Sequence, residues 1–494
     1  MALPQNRIQH FVVLMLENRT FDHIFGYRSG VNGLKGTEAN LLDPSQPASA
    51  ANPSFVVTNT APYAVPVGGG PGHLLPDTNV QLCGDASGPS SHIPAKNNGF
   101  AKSYANDLKT WDHVANPTPD QVRVVMQCFA PSKLPSINGL ADAFVLCDNW
   151  YAEVPGPTHP NRLYMHAATS FGYAHNLFKQ NPTFGGPTIY AHLQDAGLSW
   201  ATYEHDYNEV REFTGINTEI AHFKKFNPSF AADVKAGTLA NYSFILPQFM
   251  SQKTSPANSE HAPEDMRFGD NFIADVYETL QGNPNVWNKC ALIVTYDEHG
   301  GWYDHVIPPS QSVPNPDGLN SPPAGDKPGA PRFAFDRLGL RVPAIIASPW
   351  LKAGTVDSTP YRHTSVLGTA KKMFGLASFL TKRDAAANTF EGLFTQLSTA
   401  RTDTPKTLKR VPLPKIGVPP TNSAHPANRA LDETQKAALL RVYYLTQSSH
   451  PHGPSLEELP TTQDEAAQFI QERYRKHFGP HGEPGVLPSR QSDP

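Results

Sequence analysis

Charge is scarce in this chain, and neither sign dominates. Only 17% of the 494 residues are Asp, Glu, Lys or Arg and the net charge is −4, so no basic field exists to hold a polyanion, which argues against nucleic-acid binding. Cysteine is sparse too. Of the four cysteines, Cys147 and Cys290 lie in apolar runs as small core residues, whereas Cys83 and Cys128 stand in loop-like contexts and could pair in an oxidising compartment. No apolar run approaches the roughly 18 residues that a transmembrane helix needs. The N-terminal apolar run stops at Glu17 without a small-residue cleavage site, so it reads as a first strand and not as a signal peptide. The expected location is secreted or periplasmic if a leader was removed, and cytoplasmic otherwise.

Loop-forming residues are abundant instead. With 48 Pro and 36 Gly, the chain predicts many rigid loops over a regular scaffold, an arrangement that suits a loop-built active site. The length allows one large α/β domain with an appendage, or two or three domains.

The most informative stretch runs from Asn288 to His305. Cys290 to Tyr296 is a β-rich apolar run with no polar face, so it predicts a strand buried on both sides. Directly after it come Asp297, Glu298, His299, two glycines, Asp304 and His305. In open α/β sheets that carboxyl edge is where ligands bind. An acidic turn would also place Asp and Gly there, but crowded like charges are costly without a counter-charge, and a metal ion is the simplest one.

The N-terminal strand, Ile8 to Leu16, repeats the pattern and ends in Glu17 and Asn18, neighbouring hard oxygen donors. A helix cap by Asn18 fits the same residues. Residues 35 to 72 read as a long surface excursion, and the polar, Gly-rich run from His73 to Phe100 as loop. In VPGPTHPNRLYMHAATS, the Pro-Gly frame places Thr158 just before a helix. A helix N-terminus is a seat for phosphate; Thr158 there is either a cap or a metal-activated nucleophile. From about 186 to 290 helix and strand alternate, with His261 in a polar loop, which predicts a mostly parallel sheet. Arg341 to Ser348 reads as a last core strand, and His363 opens the helix that follows. Residues 403 to 428 form a Pro-rich linker, followed by amphipathic helices at about 431–447 and 463–477. Their apolar faces, including Leu439, Leu440, Val442 and Tyr443, are expected to pack on the main domain rather than lie on lipid.

These segments resemble a known family. ENRTFDHIFG, PGPTHPNR, NSEHAPED, TYDEHGGWYDHV, RVPAIIASPW and YRHTSVL occur in order over roughly residues 8 to 400. Together they resemble the bacterial phosphatidylcholine-type phospholipase C and acid phosphatase family, and GHLLPDTNVQL and FLTKRDAAANTFEG are closest to plant-type non-specific phospholipases C. The resemblance implies an α/β, alkaline-phosphatase-like, mostly parallel sheet flanked by helices. The catalytic domain would span 1–402, with a smaller helical appendage at 403–494. It implies one metal ion held by Glu17, Asn18, Asp297 and Glu298 with Thr158 completing the site, and His73, His261, His305 and His363 around the phosphate. Asn161 and Arg162 would shape the loop. An all-oxygen set favours Ca²⁺, Mg²⁺ or Mn²⁺.

The implied activity is phospholipase C cleavage of a phosphatidylcholine-like substrate through a phosphothreonine, with peripheral contact at a membrane surface. Phosphatase members of the family tend to carry Ser where phospholipases carry Thr, so Thr158 leans towards the lipase. The alternatives are a broad phosphomonoesterase on the same scaffold and a non-catalytic lipid-binding protein.

Overall fold

The apolar run Cys290–Tyr296 forms a fully buried strand at the centre of the sheet. In this computed structural model the described residues are 7–66, 68–89, 93–176, 183–321, 333–415, 425–450 and 453–479. The main sheet contains β1 (His10–Leu16), β2 (Val145–Cys147), β3 (Trp200–Glu204), β4 (Phe223–Lys225), β5 (Tyr242–Ile245), β6 (Cys290–Tyr296), β7 (Ala344–Ala347) and β8 (Thr355–Asp357). Their order across the sheet is β8-β2-β7-β6-β1-β5-β3-β4. Every neighbouring pair is parallel except those made by β7, which runs antiparallel to both β6 and β2. The sheet is thus the mostly parallel α/β architecture expected. Strand β7 departs because no helix crosses over from β6 among the described residues, and a chain that returns by loop can pair in the reverse direction.

The functional argument uses five helices: α1 (Thr158–Ala167), α2 (Met266–Gln281), α3 (His363–Phe374), α4 (Glu433–Leu445) and α5 (Gln463–Phe478). Helix α2 is amphipathic, capped by Asp265 through the Arg267 amide, and buries Phe272, Ile273, Val276 and Leu280. The C-terminal helices share the main core. Leu439, Val442, Ile470 and Tyr474 belong to the same buried cluster as the β1 and β6 side chains, and Tyr443 is buried while Leu440 is half-buried. No helix among the described residues is long and apolar enough to cross a membrane.

A helix replaces part of the loop expected between His73 and Phe100. Leu75–Cys83 turns Thr78, Asn79 and Gln81 inward beside Leu75 and Leu82, so its buried stripe is partly polar and escapes a search for apolar periodicity. Phe100–Thr110 packs against it. The excursion at 35–72 contains a small hairpin, Ala39–Leu41 with Ser54–Val56. All four cysteines are free, Cys128 being buried and Cys83 partly so. The Pro-rich loop after His305 and the 403–428 linker lie in part outside the described residues, at 322–332 and 416–424.

Candidate active site

Strand register assembles the site. β1 and β6 pair from His10↔Cys290 to Leu16↔Tyr296, so the next residues, Glu17 and Asp297, leave the sheet side by side. Asn18 then takes a left-handed backbone (φ 60°), which Asn tolerates better than most residues, and its N–H donates to Asp297 Oδ1 at 3.0 Å. Gly300 (φ +61°) is required here: a Cβ would lie 2.1 Å from the Asn18 carbonyl oxygen. Gly301 (φ +74°) likewise approaches Gly72, whose oxygen would be 2.4 Å from a Cβ. That approach seats the His73 loop, and His73 Nε2 lies 3.3 Å from Asn18 Nδ2.

Thr158 is the first residue of α1, and the cap position belongs to Pro157, which makes no side-chain cap. The Thr158 hydroxyl instead donates to Asn18 Oδ1 at 3.3 Å, and the residue is 3% exposed. The cap role is therefore excluded by the geometry. Asn18 is not a cap either, since Thr20 caps the helix Phe21–Phe25.

Asp297 and Glu298 each commit one oxygen to the protein. Asp297 Oδ1 accepts the Asn18 and Glu298 amides at 3.0 and 2.7 Å; Glu298 Oε2 accepts the Gly300 amide at 2.7 Å; Glu17 is tied through its backbone, its amide donating to the Ser259 carbonyl at 2.9 Å. Glu17 Oε1, Asp297 Oδ2 and Glu298 Oε1 are buried without a hydrogen-bond partner. Burial and the neighbouring carboxylate hold Glu17 and Asp297 well above the usual range, and burial pushes Glu298 up to about 7. The orphaned carboxylate oxygens of Glu17, Asp297 and Glu298 and the Asn18 amide are oxygen donors of the kind a hard divalent cation takes.

A second cluster lies nearby. Among the described residues, Asp22, Asp304 and His305 are the group of Asp and His side chains whose ligand atoms all lie within 4.8 Å of one another; the Glu17, Asp297 and Glu298 oxygens are spread more widely. A cation already occupies this second cluster: Arg341 donates to Asp22 at 2.9 Å and to Asp304 at 3.0 Å.

The histidines divide between these places. His73 lies 3.9 Å from Glu298, its ring centroid 5.6 Å from that of His261. Burial lowers His73 and takes His261 down to about 4, which disfavours the charged form of both. His261 Nε2 is buried with no partner, while Nδ1 contacts the Ala262 carbonyl and lies 3.6 Å from Asp432. His305 is held elsewhere, by Asp22 at 2.7 Å and Asn32 at 3.3 Å. His363 has both ring nitrogens engaged, Nε2 with the Asp297 carbonyl at 2.6 Å and Nδ1 with the Trp150 indole at 3.3 Å. It buttresses the strand end from within the core.

The cavity at Thr158 is also lined by Glu17, Arg162, His261, Asp432 and Arg441. Its far wall is therefore α4, which the sequence reading left out of the site. Asn176 links the two walls, accepting the His159 amide at 2.9 Å and donating to Glu433 at 2.7 Å. Arg441 bonds Glu212 at 3.1 Å, and Glu212 lies 3.0 Å from His159. The one sequence signal was a basic residue inside the apolar run Leu439-Leu440-Arg441-Val442.

An α/β sheet whose strand ends set acidic oxygens against a hydroxyl at a helix N-terminus defines a hydrolase of phosphoric esters. The chain belongs to the Phosphoesterase family, which matches residues 8–377. Non-specific phospholipase C1 of Arabidopsis thaliana is 39% identical over 427 residues, covering 83% of this chain and 75% of that protein. Phospholipase C B of Mycobacterium tuberculosis is 29% identical over 410 residues, 75% and 74% of the two chains. Among solved structures, an alkaline phosphatase superfamily protein from Vibrio parahaemolyticus aligns at 10% identity and a TM-score of 0.31, over 71% of this chain and 83% of that one.

Proposed function

We propose that the protein is a phospholipase C that cleaves glycerophospholipids to diacylglycerol and a phosphorylated head group, with Thr158 as nucleophile. One observation carries this reading. The Thr158 hydroxyl caps nothing and donates to Asn18, whose backbone amide bonds Asp297, and Thr158 shares a cavity with Glu17; Glu17, Asp297 and Glu298 each keep a buried carboxylate oxygen without a partner. The relatives named phospholipase C support the substrate class.

Glu17, Asn18, Asp297 and Glu298 would hold a divalent cation with Thr158 at its edge. When bound, it would neutralise phosphate charge and favour the ionised hydroxyl. Thr158 Oγ attacks phosphorus as the bond to the glycerol oxygen breaks, and its proton leaves to a neutral base. His261, which lines the cavity and leaves Nε2 without a partner, would carry that proton to the departing alkoxide. Water then cleaves the phosphothreonine, restoring the hydroxyl and releasing the head-group phosphate. Two in-line displacements give net retention at phosphorus. His73 orients Asn18, whereas His305 holds the side chains of Asp22 and Asn32 and His363 holds the Asp297 carbonyl. Reaching a lipid phosphate requires peripheral contact with a membrane surface.

The test offers purified protein phosphatidylcholine and an aryl phosphate side by side, after metal removal and after divalent cation is restored. Diacylglycerol release that depends on added cation is expected. Turnover of the aryl phosphate alone would instead make the protein a phosphomonoesterase, and turnover of neither would make it a lipid-binding protein.

A further inference from the structure

We infer that Arg162 is a phosphate ligand, its Nη2 binding a non-bridging oxygen of the ester held at Thr158; this rests on reading Thr158 as the nucleophile. The sequence assigned Arg162 to loop shaping, but Asn161 performs that role. Asn161 Oδ1 accepts the Val154 amide at 3.0 Å, and Nδ2 donates to the Gly156 and Pro157 carbonyls, each at 3.0 Å. Arg162 bonds no loop residue. It sits one helical turn beyond Thr158 on the same face of α1, and both side chains line one cavity.

The guanidinium is held rigidly except at one end. Nε donates to Glu209 at 2.8 Å, and Nη1 reaches the Met15 carbonyl at 3.4 Å and lies 3.6 Å from Asp297 Oδ2. Glu209 is itself fixed by His166 at 3.2 Å, whose other nitrogen faces the Tyr190 hydroxyl at 2.9 Å. Phe249 packs against the guanidinium at 5.1 Å. Nη2 alone has no hydrogen-bond partner, in a residue only 1% exposed. Buried donors of this kind are rarely left unpaired in native proteins. A phosphoryl oxygen is the acceptor that matches an arginine donor chemically, and the nucleophile one turn away would deliver it.

The alternative is that Arg162 only positions Asp297, and the experiment separates the two. Arg162→Lys and the paired change Arg162→Met with Glu209→Gln, which removes both members of the buried Arg162–Glu209 pair, are compared with wild type as cation-loaded protein. Cation content, inorganic phosphate binding by calorimetry, and kcat and KM are read for each. Retained cation with phosphate affinity weakened about 10- to 100-fold, the size of one charge-assisted hydrogen bond, is expected in both. Unchanged phosphate affinity in either folded variant overturns the inference, as does loss of cation in parallel with phosphate. Thr158→Ala is run alongside. If it keeps its turnover, the nucleophile reading fails; if it is inactive while the Arg162 variants bind phosphate normally, only the Arg162 inference fails.

Discussion

Two buried carboxylate clusters stand at the same end of the sheet and differ in their counter-charge. Asp22 and Asp304 share Arg341, with His305 closing the group. Glu17, Asp297 and Glu298 have Arg162 3.6 Å from Asp297 and already paired with Glu209, with His73 and His299 at 3.9 and 3.0 Å from Glu298. The first cluster is balanced by the protein's own chain and reads as structure. The second keeps unpaired buried oxygens, an arrangement that persists where something outside the chain completes it. On the proposed reading, similar acidic motifs carry opposite roles, one closed by Arg341 and the other left with unpaired carboxylate oxygens.

Replacing a residue on each side should separate chemistry from stability. Thr158→Ala at the open cluster should lower turnover by several orders of magnitude in a phosphatidylcholine assay, with little change in melting temperature because the hydroxyl caps no helix. Thr158→Ser should keep part of the activity. At the balanced cluster, Arg341→Met should cost about 3–5 kcal/mol in a denaturant titration, since it strands two buried carboxylates. Equal effects of both changes on stability would erase the distinction.

A smaller effect distinguishes the clusters by pH. Burial opposes the charge on His305, yet its hydrogen bond and attraction to Asp22 hold it above the usual histidine value. A group raised in the folded state stabilises below its unfolded pKa, about 6.5, and loses that contribution as pH rises through the folded value. The stability gap between wild type and His305→Gln should therefore be widest near pH 5 to 6 and narrow above neutrality. A gap independent of pH would mean that His305 is held neutral.

The central strands were legible in the sequence because their apolar runs stop abruptly at acidic residues, and the expected strand Cys290 to Tyr296 is the observed one; the short edge strands Phe223–Lys225 and Thr355–Asp357 carry no such run. Partnership across the chain was not legible. TYDEHGGWYDHV presents Asp297 and His305 as one motif, but the turn at Gly300 and Gly301 sends them to different clusters. Arg341, which decides the role of one cluster, looked like the start of a strand. The helix at Leu75–Cys83 was hidden by its polar inner face, and Arg441 reached the cavity wall from a segment that local patterning could not connect to Thr158.

The most direct test of the difference between the clusters is cation content, measured by elemental analysis on purified Asp297→Asn and Asp304→Asn. Both changes keep shape and remove one charge, so the fold is preserved as a control by circular dichroism. Asp297→Asn should lose the bound divalent cation, and Asp304→Asn should retain it at the wild-type level. Full occupancy in Asp297→Asn together with loss in Asp304→Asn would contradict the account and move the cation to the cluster held by Arg341.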